Sequence, residues 1–193
     1  MTDPITLFEQ WFAEATRLEP GLPDAAALAT VDGEARPSNR VVLVKRVTAE
    51  GFDFFTNYDS RKGQELAANP AAALTYHWKS LDRSVRIEGD TSRLPPQDSD
   101  AYWDSRPRGS RISARISEQS QPVESRADLE ARTRDEAERI GEGEIERPDH
   151  WGGYRLVPVR VEFWTHRDDR LHERLEYRRA SPSDAWQTRM LQP

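Results

Sequence analysis

Short strand-like segments, broken at intervals by turn residues, constrain the fold of this chain more than any other feature of its sequence. Such runs, bounded by clusters of Gly, Pro, Asn and Asp, are typical of antiparallel sheets. The segments that we predict to be strands are 25–31, 39–47, 51–57, 71–78, 83–93, 154–164, 171–178 and 185–191. About eight strands favour an antiparallel β-barrel, although periodicity alone does not distinguish a barrel from a sandwich.

Helical periodicity occurs in peripheral segments. Apolar residues recur at helical spacing after Thr2 and Asp3, which are N-cap candidates, and predict an amphipathic helix over residues 4–18. Further helices are predicted over 60–68, 97–104, 110–117 and 124–140, and a solvated loop over 141–148. We find no internal repeat and no long linker, so residues 1–193 are expected to form a single domain. The predicted fold class is mainly β with peripheral helices.

Composition excludes several classes of function. The chain has 193 residues and a formal net charge of −6, which argues against nonspecific binding of nucleic acid. It contains no cysteine, so disulfides, cysteine-ligated metals and a cysteine nucleophile are excluded. Its four histidines lack ligand-like spacing, and we expect no metal site. No signal-peptide pattern and no apolar run of about 20 residues occurs, so we expect a cytoplasmic protein without membrane segments.

The segment Arg170-Leu-His-Glu-Arg174 lies within a predicted strand. In an extended strand Arg170, His172 and Arg174 share one face, because successive side chains alternate. Two guanidinium groups beside an imidazole suit an anionic aromatic ligand. The same pattern also fits an exposed strand with scattered charge.

A phosphate-bearing ligand would have to be held by side chains, because the sequence has neither a dinucleotide glycine fingerprint nor a Walker A motif. Arg40, Arg61 and Lys62 lie at a predicted strand start and a predicted helix start, where Ser60 is an N-cap candidate. Guanidinium groups, a lysine and the positive end of a helix would together favour an anion. A solvated surface cluster is the alternative interpretation.

Two further patterns leave structural and functional interpretations open. Lys45 ends an apolar run, which predicts either a strand end or pairing with an anion. Tyr102, Arg106 and Ser110 recur every four residues, as on one helix face, but Pro107 interrupts that helix. Trp164, which follows an apolar strand, fits a core position as well as a ligand site.

Six motifs, in this order, resemble the pyridoxamine 5′-phosphate oxidase family. They are Arg40-Val-Val-Leu-Val-Lys45, Ser60-Arg-Lys-Gly63, Ser105-Arg-Pro-Arg-Gly-Ser110, Ser117-Glu-Gln-Ser120, Trp151-Gly-Gly-Tyr154 and Arg170-Leu-His-Glu-Arg174. The resemblance implies a split β-barrel that binds FMN and forms a homodimer. It also implies oxidation of pyridoxamine and pyridoxine 5′-phosphates to pyridoxal 5′-phosphate, with dioxygen as acceptor and hydrogen peroxide as product.

The resemblance assigns roles to individual positions. Those that it implies for FMN are Arg40, Val41, Val42, Leu43, Val44, Lys45, Phe55, Thr56, Arg61, Lys62, Gln119, Ser120, Trp164 and Arg174. Those that it implies for the substrate are Lys45, Tyr102, Arg106, Ser110, Arg170, Leu171 and His172. Among these, Arg170 and His172 are implied to be the catalytic pair that faces the substrate ring.

Three departures from the family pattern qualify these roles. Ser84 replaces a usual Gln near the flavin and is too short to span the same gap, so a contact there would need a bridging water. Arg115 stands where the family often has Trp. An N-terminal Arg-Arg-Glu-Tyr segment that helps to cover the substrate in some members is absent from this sequence, so we expect a lid to come from elsewhere.

Two other functions are compatible with the motifs. Phenazine-biosynthesis FMN oxidases share the architecture and a similar Arg-Leu-His-Glu-Arg ending, but their substrate lacks the phosphate that Lys45 would serve. A non-catalytic carrier of FMN or pyridoxal phosphate is the third possibility, and the presence of both Arg170 and His172 argues against it.

Overall fold

The computed structural model describes residues 2–193 and contains eight strands, five α-helices and one 3₁₀ turn at Lys79–Leu81. Met1, the first residue of the predicted domain, lies outside the described residues. The helices are α1 (Pro4–Leu18), α2 (Arg61–Ala68), α3 (Pro96–Ser105), α4 (Arg108–Ile116) and α5 (Arg126–Ile140). The strands are β1 (Ala25–Val31), β2 (Pro37–Thr48), β3 (Gly51–Asn57), β4 (Ala71–Trp78), β5 (Arg83–Arg93), β6 (Trp151–Thr165), β7 (Glu173–Arg178) and β8 (Gln187–Met190).

The strands form one antiparallel sheet in the order β3-β2-β1-β4-β5-β6-β7-β8, and a pairing between β3 and β6 closes the first six into a barrel. Strand β6 pairs with β5 along one edge and divides its other edge between two partners. Residues 151–156 pair with β3, whereas residues 160–165 pair with β7. The barrel therefore opens at β6, and β7 and β8 extend away from it.

The barrel interior is filled by alternating apolar residues and covered by α1. Asp3 caps α1 by accepting hydrogen bonds from the backbone N–H groups of Ile5 and Thr6. The Phe8 ring packs edge-on against Phe52, with 5.0 Å between centroids, and against aromatic residues of β4. The fully buried aliphatic residues of this core are Leu28, Leu74, Val85, Ile87, Leu156 and Val161.

A second, smaller apolar cluster joins α3, α4 and the chain after α5 to the outside of β3 and β6. It consists of Trp103, Ile112, Ile145 and Trp151. The indole N–H of Trp103 donates to the carbonyl of Ile145 at 2.8 Å. The prediction of a solvated loop over 141–148 is therefore wrong at Ile145, which is buried because the α3 indole needs both an apolar neighbour and an acceptor.

The predicted strand over 171–178 begins only at Glu173. Arg170 adopts a left-handed backbone with φ of 69° and follows a turn at residues 168–169. The prediction that Arg170, His172 and Arg174 share one strand face is therefore wrong, because strand alternation does not extend through a left-handed residue. The turn at Asp168 and Asp169, by contrast, agrees with the sequence interpretation.

Strand β6 begins three residues before its predicted start, at Trp151. Gly152 and Gly153 pair with Thr56 and Phe55 of β3. A Cβ atom on Gly152 would lie 2.1 Å from the Tyr58 hydroxyl, and one on Gly153 would lie 2.9 Å from the Phe55 ring. The two glycines thus permit close aromatic packing inside a strand.

None of the helices within residues 2–193 is long and apolar enough to cross a membrane.

Candidate active site

A cavity of about 560 Å³ lies beside β2 and β3, where α3, α4 and the start of β6 complete its wall. Many of the predicted ligand-binding residues line it. They are Val41, Val42, Leu43, Lys45, Phe55, Thr56, Lys62, Tyr102, Arg106, Ser110 and Gln119. The volume lies within the range of small-molecule sites. Residues from four sequence-distant motifs thus meet in one cavity.

Lys62 is the buried cation of this cavity. It lies in the first turn of α2, which Ser60 caps by accepting from the N–H of Gly63. Its ammonium donates to Gln119 Oε1 at 2.6 Å and to Thr56 Oγ1 at 3.2 Å. Burial, aided by the nearby charge of Arg40, lowers the pKa of Lys62 to about 8. A bound anion would offset this desolvation, so the position suits a phosphate.

Glu65 organises the other two predicted phosphate cations and was missed by the sequence reasoning. It is buried, and its carboxylate accepts from Arg61 Nε at 2.8 Å and from Arg40 Nη2 at 3.0 Å. Burial raises the pKa of Glu65, but hydrogen bonds from Ser38, Thr30, Arg61 and Arg40 outweigh it and lower the pKa to about 2. The i,i+4 spacing of Arg61 and Glu65 on α2 was the available sequence signal.

Other members of the FMN-implied set lie around the cavity rather than in its wall. The backbone N–H of Arg61 donates to Ser120 Oγ at 3.2 Å. Asn57 donates to the carbonyl of Ser117 at 3.0 Å, which holds the segment before Gln119 near β3. Val44 points into the barrel core because side chains alternate along β2.

Aromatic rings and one arginine form another part of the cavity wall. Tyr102 stacks on Phe55 with 3.9 Å between ring centroids. The Arg106 guanidinium lies 4.7 Å from the centroid of Trp151, and its buried Nη1 atom has no hydrogen-bond partner. Burial lowers the pKa of Arg106. An arginine with a buried, unpaired N–H group beside a cavity suits a phosphate oxygen.

Lys45 is partly exposed and paired. Its ammonium donates to Asp24 Oδ2 at 2.6 Å, which agrees with the predicted alternative of pairing with an anion. Ser110 lies in the first turn of α4 and Arg106 precedes that helix. The predicted interruption at Pro107 is confirmed, because α3 ends at Ser105 and Pro107 becomes the N-cap of α4.

The remaining predicted residues form a separate cluster at the other end of β6. Trp164 stacks obliquely on His172, with ring centroids 4.8 Å apart, and pairs in register with Arg174. The His172 Nδ1 atom accepts from the backbone N–H of Arg167 at 3.1 Å. Arg170 and Leu171 lie on the exposed turn that precedes β7. This cluster presents an imidazole and a guanidinium to solvent beside an indole.

Arg174 is held firmly within this second cluster. It donates to both carboxylate oxygens of buried Glu162, at 2.7 and 3.1 Å, in a bidentate pair. Burial raises the pKa of Glu162, but hydrogen bonds from Arg174 and Arg86 outweigh that effect and lower it. Ser84 pairs in register with Trp164, and its hydroxyl donates to the carbonyl of Tyr76 at 2.8 Å.

The two groups of predicted residues do not meet within one copy of the chain. None of Ser84, Trp164 and the segment 170–174 lines the 560 Å³ cavity. Trp151 and Trp164 mark opposite ends of a strand, so they lie roughly 40 Å apart along its path at about 3.3 Å per residue. The spread of the cationic motifs from residue 40 to 174 predicts a site completed across two subunits, and this stays a prediction.

Within residues 2–193, no group of three or more His, Cys, Asp or Glu side chains is arranged to hold a metal ion. The cavity instead combines cations and hydrogen-bond donors with an apolar wall. Lys62, with a depressed pKa, and Arg106, with an unpaired N–H group, each suit a phosphate.

Two family models match the chain. One is described as pyridoxamine 5′-phosphate oxidase and matches residues 13–140, and the other is described as pyridoxine 5′-phosphate oxidase C-terminal dimerisation region and matches residues 151–193. The chain is 52% identical to pyridoxine/pyridoxamine 5′-phosphate oxidase 1 of Ralstonia nicotianae, over 99% of this chain and 89% of the relative. It is 55% identical to the Bordetella avium pyridoxine/pyridoxamine 5′-phosphate oxidase, over 91% of this chain and 82% of the relative.

Solved structures share the architecture. PhzG from Burkholderia lata 383, in complex with tetrahydrophenazine-1-carboxylic acid, matches with a TM-score of 0.92 and 33% identity, over 100% of this chain and 94% of that chain. A pyridoxamine 5′-phosphate oxidase-related, FMN binding protein from Nostoc punctiforme matches with a TM-score of 0.80 and 17% identity, over 100% of both chains. These likenesses confirm the predicted split β-barrel.

Proposed function

Because the chain belongs to the pyridoxamine 5′-phosphate oxidase family, we propose that it oxidises pyridoxamine and pyridoxine 5′-phosphates to pyridoxal 5′-phosphate. Dioxygen is the final acceptor and hydrogen peroxide the second product. The relatives named as pyridoxine/pyridoxamine 5′-phosphate oxidases are about half identical to this chain over nearly its whole length, which supports this activity directly.

The single structural observation that carries the proposal is the presence of two buried or half-buried cations in the wall of one cavity. Lys62 and Arg106 both line it, together with the apolar edge of β2 at Val41–Leu43. A flat ring system with one phosphate and a second ring with another phosphate would satisfy both cations. Each buried cation alone carries an uncompensated desolvation cost.

FMN is the cofactor that fits the part of the cavity around Lys62. Lys62 would hold its phosphate. Arg40 and Arg61, which both pair with Glu65, would leave one net positive charge nearby. Gln119 and Ser120 lie next to these cations. When bound, FMN would accept a hydride from C4′ of the substrate and deliver the electrons to dioxygen.

The substrate would occupy the part of the cavity around Arg106. Arg106, Lys45 and Ser110 would bind its 5′-phosphate, and Tyr102 would stack near its ring. The protein contributes orientation and electrostatics rather than covalent chemistry. For the amine substrate, hydrolysis of the imine product yields the aldehyde and ammonia.

A second copy of the chain would complete the site. We infer a homodimer in which Arg170 and His172 of one copy face the cavity of the other. The match of residues 151–193 to a dimerisation region supports this arrangement. So does the exposure of two apolar side chains, Val41 at 69% and Leu171 at 67%, one beside each half of the site. In this arrangement residues 1–193 act as one FMN-binding domain.

A phenazine-directed oxidase is the second candidate, because PhzG shares the fold at 33% identity. The identity of about half to pyridoxine/pyridoxamine 5′-phosphate oxidases, against 33% to PhzG, favours the phosphorylated vitamer. The experiment that tests the function is the absorption spectrum of the purified protein before and after anaerobic addition of pyridoxamine 5′-phosphate. A flavin band that bleaches, with peroxide formed on admission of air, is expected. A protein without a flavin band, or one that bleaches only with a phenazine precursor, would overturn the proposal.

A further inference from the structure

Two neighbouring arginines stand out among the half-buried arginines of residues 2–193. The others in this burial range, such as Arg40, Arg155 and Arg174, donate to carboxylates or carbonyl oxygens. The Arg106 Nη1 and Arg111 Nε atoms are buried without any hydrogen-bond partner. The Arg46 Nη2 atom is also unpaired, but the other two nitrogens of that guanidinium donate to Asp53 and Asp98. Buried guanidinium N–H groups are normally paired, so the unpaired atoms of the neighbours Arg106 and Arg111 indicate a missing acceptor.

The start of α4 brings the two side chains together. Pro107 is the N-cap, so Arg106 occupies the position before the cap and Arg111 the fourth helical position. Side chains at these two positions commonly contact each other, usually as an apolar pair. Here both are cationic, and the charge of Arg111 contributes to lowering the pKa of Arg106.

Two adjacent, half-buried positive charges repel each other unless an anion lies nearby. The cavity supplies the place for that anion, because Arg106 and Ser110 line it whereas Arg111 does not. The backbone N–H groups at the start of α4 add positive potential on the same side. Arg111 therefore lies next to Arg106 but outside the cavity wall, and it attracts the anion only through its charge.

We propose that Arg111 is a specificity-determining residue, whose charge reinforces Arg106 and sets the preference of this chain for dianionic phosphate esters. This inference rests on the proposed function, because the anion is taken to be the 5′-phosphate of the substrate. Arg111 is a positioning residue rather than a catalytic one, since it does not reach the cavity wall. A lysine at this position would preserve the effect, whereas a neutral side chain would abolish it.

Steady-state kinetics of the FMN-loaded enzyme test the proposal with Arg111→Gln, Arg111→Lys and the control Arg134→Gln. Arg134 is exposed on α5, and its replacement removes the same charge from the molecule. Arg111→Gln should raise KM for pyridoxine 5′-phosphate about five- to tenfold, through loss of one nearby charge, with kcat nearly unchanged. Arg111→Lys and Arg134→Gln should behave like the wild type, and all four proteins should oxidise unphosphorylated pyridoxine equally.

The pH profile separates charge from packing. A phosphate ester gains its second charge at a pKa of about 6. In the wild type, 1/KM for pyridoxine 5′-phosphate should therefore rise steeply between about pH 5.5 and 7 as the dianion forms. Arg111→Gln should flatten this rise. A merely structural defect would lower affinity equally at both ends of the range.

Thermal unfolding of the FMN-loaded protein in inorganic phosphate provides a readout that does not depend on turnover. Phosphate should raise the melting temperature of the wild type and of Arg111→Lys more than that of Arg111→Gln. An unchanged KM and an unchanged phosphate response in Arg111→Gln would overturn the inference. If the wild type itself showed no preference for the phosphorylated vitamer, the proposed function would fail instead.

Discussion

Lys62 shows how a single buried cation can favour the binding of an anion at the site. Its ammonium donates to neutral oxygen acceptors, on Thr56, Ser60 and Gln119, and burial has lowered its pKa to about 8. Such a lysine is costly in an empty cavity and becomes favourable when an anion arrives. Binding and protonation of this side chain are therefore linked.

Lys62→Ala should weaken FMN binding about tenfold or more, because a charge-assisted hydrogen bond contributes about 1.5–3 kcal/mol. Equilibrium titration of flavin fluorescence measures the change. Lys79→Ala is a matched control, since Lys79 is exposed next to β4 and lies outside the cavity wall. Equal flavin affinity in Lys62→Ala and Lys79→Ala would refute the role of Lys62.

The same lysine predicts the pH dependence of flavin binding. Between about pH 7 and 8 the flavin phosphate is already a dianion and the ammonium is already charged, so binding needs no proton and the affinity is constant. Above that range a proton must be taken up, because the bound phosphate raises the pKa of Lys62, and the affinity should fall. The fall should be absent in Lys62→Ala. A wild-type affinity that increases above pH 8 would contradict this linkage.

Arg106 and Arg170 should separate substrate binding from turnover. Arg106→Ala removes a phosphate contact made equally in ground and transition states, so KM should rise most. Arg170→Ala alters orientation at the reacting carbon, so kcat should fall as well. Kinetics with phosphorylated and unphosphorylated pyridoxine distinguish the two variants.

If Arg106→Ala keeps the full preference for the phosphate ester, the phosphate is bound elsewhere. If Arg170→Ala turns over at the wild-type rate, the turn before β7 is not the catalytic face.

At the scale of elements, α4 lies between the cavity and α5 and contacts both. Its cavity-facing residues include Ser110, Ser113 and Ala114. On its other side, Arg108 donates to the carbonyl groups of Gly141 and Gly143, and Arg115 Nε donates to Glu136 Oε1 at 2.9 Å. Helix α5 has no fully buried residue, so ionic contacts contribute much of its attachment.

Arg115→Ala should therefore lower the free energy of unfolding by about 0.5–1 kcal/mol at neutral pH, the upper range for a partly exposed ion pair. Hydrogen bonds from Arg139, and then Arg115, lower the pKa of Glu136 to about 2. The contribution of the pair is thus complete above the ordinary carboxyl pKa and disappears as the pH falls from about 4.5 toward 2. Urea unfolding at several pH values measures this contribution of the ion pair.

Arg126→Ala, which removes an exposed ion pair within α5, should have a smaller effect. A difference that grows in acid would contradict this account.

Most element boundaries could be predicted because local patterns decide them. The segments 25–31, 51–57, 71–78 and 83–93 are strands over the predicted residues. The features that could not be predicted depend on contacts between residues that are distant in sequence. Gly152 and Gly153 resemble a loop by composition but enter β6 because Tyr58 and Phe55 fill the space beside them. The burial of Lys62 could not be predicted, since it depends on Gln119, which is distant in sequence.

At the scale of the whole molecule, the cavity and the Arg170–His172 turn lie at opposite ends of β6. A family resemblance implies that both belong to one site, and we propose that a second copy of the chain brings them together. We expect light scattering to give a homodimer with about two FMN, one for each equivalent site. A monomer that still turns over would contradict the shared site.

Complementation between two damaged copies tests this central claim most directly. Arg106→Ala damages the cavity and Arg170→Ala damages the turn, so each homodimer has two defective sites. Heterodimers, isolated with two affinity tags and assayed at low pyridoxine 5′-phosphate, should recover about half of the wild-type activity, because one of the two symmetric sites then receives no substitution. A heterodimer no more active than its two parents would show that the cavity and the turn of the same chain form the site.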